Sequence, residues 1–284
     1  MYAWQWLNSS GKYGINEANM GATKLVGILN ITPDSFSDGG SAFEANYALQ
    51  QAQEMLQNGA KVLDVGAEST RPNATEIDYA TEIARLKPVL AEIVQMATAH
   101  NAVVSLDTRH AKTAEFGLRA GVAWINDVSG GTNNDLLQLV ANTQAKYVLM
   151  HSLTIPANPK IILPNDEQLL PTITAFFEAK IEHLQKIGIN KDCIIIDAGL
   201  GFGKCAAGSM RLMLASGQLQ QQINCPVLVG HSRKSMFKAL GAENMEQRNQ
   251  LTLLASSFLA QQQVAYLRVH DVLAHQCLFS NLNL

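Results

Sequence analysis

Eight short apolar runs recur along this chain, and segments with helical periodicity lie between most of them. They are Leu25–Leu29, Val62–Val65, Val103–Leu106, Ala123–Ile125, Lys146–Met150, Cys193–Ile196, Val227–Val229 and Ala265–Val269. Several are solidly apolar, such as Ile194 to Ile196 and Val227 to Val229. A strand reads this way when both of its faces are covered, the condition of a parallel sheet wrapped by helices. Eight is the number that a closed parallel barrel requires.

The intervening stripes repeat every 3.6 residues. One comprises Ala45, Ala48, Leu49, Ala52, Met55 and Leu56. A second comprises Ile83, Leu86, Leu90, Ile93 and Ala97, and a third Leu251, Leu254, Ala255 and Phe258. Ser41 followed by Glu44 is a capping box that starts the first helix. Pro226 stands where the seventh run begins, which a strand tolerates. The predicted fold is α/β, a (β/α)8 TIM barrel occupying 23–284 as a single domain behind an irregular lead-in at 1–22. Trp4 and Trp6 of that lead-in are expected over the barrel floor. A doubly wound open sheet is the rival. It is weakened because no G-x-G-x-x-G follows the first strand.

The 47% hydrophobic and 16% charged fractions of the 284 residues supply a sizeable core and exclude a disordered chain. A net charge of −3 gives no global attraction for nucleic acid or anionic lipid, so an anion must be held by local cations. Cys193, Cys205, Cys225 and Cys277 form no C-x-x-C pair, so neither zinc nor a disulfide framework is expected. A reducing, cytoplasmic location fits. No apolar run approaches the ~18 residues of a membrane span, and no signal peptide is expected at the N-terminus.

Polar strings follow the strands: Asn30–Gly40, Asp64–Pro72, Ser105–Thr108, Ser232–Ser235 and Arg268–Val272. A parallel barrel gathers its strand ends into one mouth, so residues scattered along the chain converge on one ligand. Asn30 offers a neutral oxygen to a hard cation such as Mg²⁺, and Phe36 is a candidate lid aromatic. Arg71 carries a guanidinium fork suited to phosphate or carboxylate, between Thr70 and the rigid Pro72. Asp107, Asn126 and Asp197 stand at strand tips, where an acid is often only a helix cap. Three oxygen acceptors at one level of a barrel suit a flat, donor-rich heterocycle, with Met150 and Phe202 on its faces. Lys234, Arg268 and His270 follow strands seven and eight, the usual phosphate-holding corner of this architecture. His151 and His231 read as structural. Cys205 has no adjacent base and does not read as a nucleophile.

Taken together, NITPDSFSDGG, SLDT, SRKS and RVHDV resemble the dihydropteroate synthase family over residues 24–272. The resemblance implies condensation of 6-hydroxymethyl-7,8-dihydropterin pyrophosphate with p-aminobenzoate, assisted by Mg²⁺ and inhibited by sulfonamides. It implies pterin binding by Asp107, Asn126, Asp197 and Lys234, with Met150 beside the ring. Pyrophosphate and its metal would fall to Asn30, Arg71, Arg268 and His270. Thr70, Arg71, Pro72, Phe202, Lys234 and Ser235 would border the p-aminobenzoate site under Phe36. Lys234, Arg268, His270 and Asp107 would carry the catalysis, and a homodimer is expected. Ala198 stands where the family commonly has proline. Asn73 replaces a usual glycine, and Cys205, Gly208 and Ser209 replace Asn and a His-Asn pair. A non-catalytic or divergent pterin-binding paralogue and a pterin-dependent methyltransferase are the alternatives.

Overall fold

A computed structural model describes residues 22–32, 41–69, 74–158 and 160–282. Eight parallel strands are present: β1 (Lys24–Asn30), β2 (Val62–Gly66), β3 (Val103–Asp107), β4 (Trp124–Asp127), β5 (Lys146–Met150), β6 (Ile194–Asp197), β7 (Leu228–Val229) and β8 (Tyr266–Val269). Their order is β6-β5-β4-β3-β2-β1-β8-β7. An Ile196–Val227 bridge closes the ring, with Ile196 N–H donating to the Pro226 carbonyl at 2.9 Å. Pro226 accepts at this seam and lacks only the donor that the seam does not use. The expected barrel is therefore observed.

Ten helices surround it among the described residues: α1 (Ser41–Gln57), α2 (Tyr79–Leu86), α3 (Leu90–Ala99), α4 (Ala111–Arg119), α5 (Asn134–Thr143), α6 (Leu169–Lys186), α7 (Ala206–Leu214), α8 (Ser216–Ile223), α9 (Met245–Gln261) and α10 (Val272–Leu282). The α1 stripe faces the barrel, with Ala48, Ala52, Met55 and Leu56 buried. The side chains of the Ser41 and Glu44 capping box lie outside the described residues, as do Trp4 and Trp6.

Two helical expectations are corrected. The stripe from Ile83 to Ala97 is two helices, because Pro88 has no N–H and its ring collides with the carbonyl four residues back. In α9 the buried face is Thr252, Ala255, Ser256, Leu259 and Ala260, whereas Leu254 is 67% exposed. The buried hydroxyls return hydrogen bonds to their own helix, Thr252 to the Arg248 carbonyl at 2.7 Å and Ser256 to the Thr252 carbonyl at 2.9 Å. They also meet His231 and the Arg233 N–H from the β7 loop. A polar network therefore turns this helix, and counting leucines gives the wrong face.

The barrel interior changes character along its axis. Val26, Val62, Trp124, Val148, Ile195 and Leu228, from β1, β2, β4, β5, β6 and β7, form their own apolar cluster apart from the main core. Trp124 meets Tyr266 edge-on, with ring centroids 4.9 Å apart. Side chains alternate across a strand, so two residues onward the same face presents Asp64, Asn126, Met150 and Asp197. Arg268 follows Tyr266 by the same step. The apolar layer thus becomes the floor beneath a charged one.

Candidate active site

Asp64 is the hub of the charged layer. It is 1% exposed and lies inside β2, every residue of which is buried. Its carboxylate accepts from Ser105 Oγ at 2.6 Å, Asn126 Nδ2 at 3.0 Å and Arg268 Nε at 2.5 Å. Arg268 also donates through Nη2 to Asp107 Oδ2 at 2.8 Å. One guanidinium fork therefore joins a buried and a half-buried acid from neighbouring strands. Burial pushes the Asp107 carboxyl up to about 7; Arg268 opposes this, while Asp64, Glu82 and Glu68 add to it.

Asp197 ends β6 opposite this trio. Its Oδ1 accepts the Gly199 N–H at 2.7 Å. Burial raises its pKa, against the Gly199 bond and the charges of Lys234, Arg268 and Lys204. Gly199 is required here. It adopts φ +64°, and a Cβ would fall 2.0 Å from the His151 carbonyl oxygen.

Lys234 follows β7 and reaches the neighbouring β6 loop. Its Nζ donates to the Leu200 carbonyl at 2.9 Å and lies 4.8 Å from the Phe202 ring centroid. Burial lowers its pKa to about 8; Asp197 and Asp107 raise it and Arg268 lowers it further. Phe202 packs with Met150, Val128 and Ala157 as a small apolar cluster at the rim. On β8, the His270 Nδ1 lies 2.9 Å from Ser232 Oγ, which also accepts the His270 N–H at 3.3 Å. Asn30 ends β1 beside Gly66, and Ser235 is exposed at the start of a 3-10 turn.

The structure thus gathers Asp107, Asn126, Met150, Asp197, Phe202, Lys234, Arg268 and His270 at the carboxyl end of one barrel. Phe36, Thr70, Arg71 and Pro72, with Asn73, lie outside the described residues. Arg268 faces acids rather than standing apart from them. The base of the second loop is tied down by Glu68. It accepts the Ile77 N–H at 3.2 Å and both Nε and Nη2 of Arg109, at 3.1 and 2.9 Å. Two departures from the family pattern have local roles: Cys205 Sγ caps α7 by accepting the Gly208 N–H at 3.3 Å, and Ser209 Oγ accepts the Gly201 N–H at 3.0 Å.

Sequence reasoning missed Asp64, Ser232 and Lys204. The signal for Asp64 was an acid in an otherwise apolar run, which must point inward and find a partner. Lys204 was hidden behind the glycines of its loop. Its Nζ is buried against His151 Nδ1 at 2.7 Å and the carbonyls of His151 and Phe202, each at 2.9 Å. His151, read as structural, is therefore a partner of this lysine.

Acids and an amide interleaved with cations at the mouth of one barrel suit a donor-rich ring bearing an anionic group. The family described as "Pterin binding enzyme" matches residues 26–270. The dihydropteroate synthase of Streptococcus pyogenes is 35% identical over 269 residues, covering 94% of this chain and 95% of that protein. The structure of the Anaplasma phagocytophilum dihydropteroate synthase with bound 6-hydroxymethylpterin-monophosphate superposes with a TM-score of 0.85. It is 39% identical, covering 93% of this chain and 99% of that one. The Thermus thermophilus enzyme in complex with 4-aminobenzoate gives 0.79 at 32% identity, covering 94% and 96%. Bifunctional folylpolyglutamate synthase/dihydropteroate synthases of Haloferax volcanii and Halobacterium salinarum are 36% identical over 88% of this chain, which spans only 29% and 30% of their length. The chain belongs to the pterin-binding enzymes, and among them to the dihydropteroate synthase family.

Proposed function

We propose that this chain condenses 6-hydroxymethyl-7,8-dihydropterin pyrophosphate with p-aminobenzoate, releasing 7,8-dihydropteroate and pyrophosphate. The observation that carries the reading is that Asp107, Asn126, Asp197 and Lys234 come together at the carboxyl end of one barrel, in a chain of this family. Asp107 and Asp197 accept from the amino-pyrimidinone edge, Asn126 adds an amide, and Met150 packs on the ring. Lys234 and Phe202 lie between this ring and the rim, so p-aminobenzoate stands there, bordered by Ser235 and by Phe36, Thr70, Arg71 and Pro72.

The pterin methylene–oxygen bond breaks, the pyrophosphate departs with the electron pair, and the arylamine nitrogen forms the new bond and sheds a proton. The two carboxylates favour the cation that develops on the ring. The arylamine is uncharged at neutral pH and needs no strong base, so positioning supplies much of the rate. Asn30, Arg71, Arg268 and His270 face the leaving pyrophosphate. Among the described residues, no three His, Cys, Asp or Glu side chains cluster to hold a metal. Mg²⁺ nonetheless fits Asn30, because that ion keeps waters and phosphate oxygens and needs few protein ligands. When bound, it neutralises charge on the departing group.

The test is pyrophosphate release with pterin pyrophosphate, p-aminobenzoate and Mg²⁺, each omitted in turn. Release only with all three is expected, and a protein that binds pterin without turnover overturns the reading. Lys234→Met should lower kcat/KM by about 100-fold or more, the equivalent of roughly 3 kcal/mol. We also infer a cytoplasmic homodimer. Leu254 and Met245 on α9 and Leu273 and Leu282 on α10 are exposed apolar side chains on packed helices, and all four cysteines are free. Among the described residues no helix is long and apolar enough to cross a membrane.

A further inference from the structure

We propose that Lys204 is a positioning residue for this site: its ammonium clamps the loops after β5 and β6 beneath Phe202 and supplies one of three positive charges that hold Asp197 as a carboxylate. The inference rests on the reading of Asp197 as a pterin ligand.

Three acceptors surround the Lys204 Nζ: His151 Nδ1 at 2.7 Å, the His151 carbonyl at 2.9 Å and the Phe202 carbonyl at 2.9 Å. An ammonium has three protons and a neutral amine only two, so the full set of bonds selects the charged form. His151 accepts at Nδ1 only when it is neutral and its proton is on Nε2. Burial, with Lys204 beside it, lowers its pKa to about 3 and keeps it so. The same burial draws Lys204 down to about 7, against the pull of Asp197. The bonds belong to different loops. His151 follows β5, and Phe202 lies in the β6 loop, whose Gly199 N–H binds Asp197 and whose Leu200 carbonyl binds Lys234. A single side chain therefore sets the height of the Phe202 ring and braces the segment that holds Asp197. The charged groups facing Asp197 are Lys234, Arg268 and Lys204. Those facing Lys204 are Asp197 and Lys234, with neutral His151.

The experiment compares wild type with Lys204→Met and Lys204→Gln. Calorimetry with 6-hydroxymethylpterin and, separately, p-aminobenzoate runs from about pH 5 to about pH 8, beside steady-state kinetics. Removing a cation disfavours the Asp197 carboxylate, so its pKa rises. In Lys204→Met the Asp197 step of the acid limb of pterin affinity should move up by about one unit while the Asp107 step stays, with affinity below the limb roughly tenfold weaker. KM for p-aminobenzoate should rise more than kcat falls. Lys204→Gln still donates two bonds, so it should restore that KM without restoring the limb. Wild-type pterin affinity and an unmoved limb in Lys204→Met overturn the proposal. A wild-type protein that binds no pterin instead overturns the assigned function. Should neither variant fold, lysine-selective ¹⁵N NMR of the wild type at about pH 6.5 decides. A protected ammonium assigned to Lys204 through its own side-chain carbons is expected, separate from that of Lys234, and a neutral Lys204 amine overturns the proposal.

Discussion

Asp64→Asn isolates the charge at the hub while keeping its shape. The native carboxylate is 1% exposed and carries three hydrogen bonds, one of them the ion pair to Arg268. An asparagine can turn its carbonyl toward Asn126 and Arg268 and its amide toward the Ser105 oxygen, so the one native donor that loses its acceptor is the Ser105 hydroxyl. What disappears is one half of a buried ion pair. Breaking such a pair costs about 3–5 kcal/mol, and the lower end applies because Arg268 keeps Asp107 at 2.8 Å. About 3 kcal/mol is a large share of the roughly 5–15 kcal/mol that holds a domain together. Urea unfolding of Asp64→Asn, Arg268→Gln and the double variant should give a coupling energy near 2 kcal/mol.

The same substitution has an opposite electrostatic effect on Asp107. The Asp64 charge helps hold the Asp107 pKa up, so removing it lets Asp107 ionise more easily. The acid limb of pterin affinity should therefore move to lower pH even as the fold weakens. A destabilisation under about 1 kcal/mol, or a limb that moves upward, refutes the view of Asp64 as the charged centre of the layer.

Gly199→Ala puts a methyl group where the His151 carbonyl oxygen stands, in a left-handed conformation that alone costs about 1–3 kcal/mol. Thermal melting should show the loss, together with weaker pterin binding; an unchanged melt would mean that the β6 loop yields freely. His231 is fully buried near Ser256 and the Val229 carbonyl, and burial lowers its pKa from 6.5 to about 4. The unfolded chain therefore takes up this proton first. Stability from His231 is complete above about pH 6.5 and is lost as pH falls through about 4, by on the order of 3 kcal/mol. Glu82 and Asp107, both raised to about 7, act oppositely, since the folded state binds their protons first. The His231 effect is thus read as the difference between wild type and His231→Gln, and parallel pH profiles would exclude it.

The barrel was legible because its physics is repetitive. A strand covered on both faces reads as a plain apolar run, and all eight runs lie within one or two residues of their strands. The mouth was legible because polar side chains at strand ends have few structural reasons to accumulate there. Legibility failed where a polar group was buried inside an element. Asp64 looked like an interruption of a strand, and Lys204 like part of a glycine turn. Thr252 and Ser256 turned α9 against its leucines. Each of these has partners from other strands or loops, between 19 and 204 residues away in sequence, at the extremes of the β7-loop and β8 contacts. Periodicity is local and cannot register such partners. Pro88 was visible, but the stripe it interrupts stays in phase across the break.

The charge pattern of the mouth bears on how an anionic substrate is held. Asp64, Asp197 and Lys204 are buried there and Asp107, Lys234 and Arg268 half-buried, three acids against three bases, in a chain whose net charge is −3. Arg268 is already neutralised by two carboxylates, so it offers a pyrophosphate far less than a solitary guanidinium would. The interior is thus built for a polar, uncharged ring, and a strongly anionic tail belongs at its rim. On the proposed reading, the further positive charge that the tail requires falls to the metal, Arg71 and His270. Neutralising Arg71 should therefore weaken pterin pyrophosphate far more than 6-hydroxymethylpterin. Calorimetry on Arg71→Gln with both ligands checks this, and equal losses for the two would place the anion inside the barrel after all.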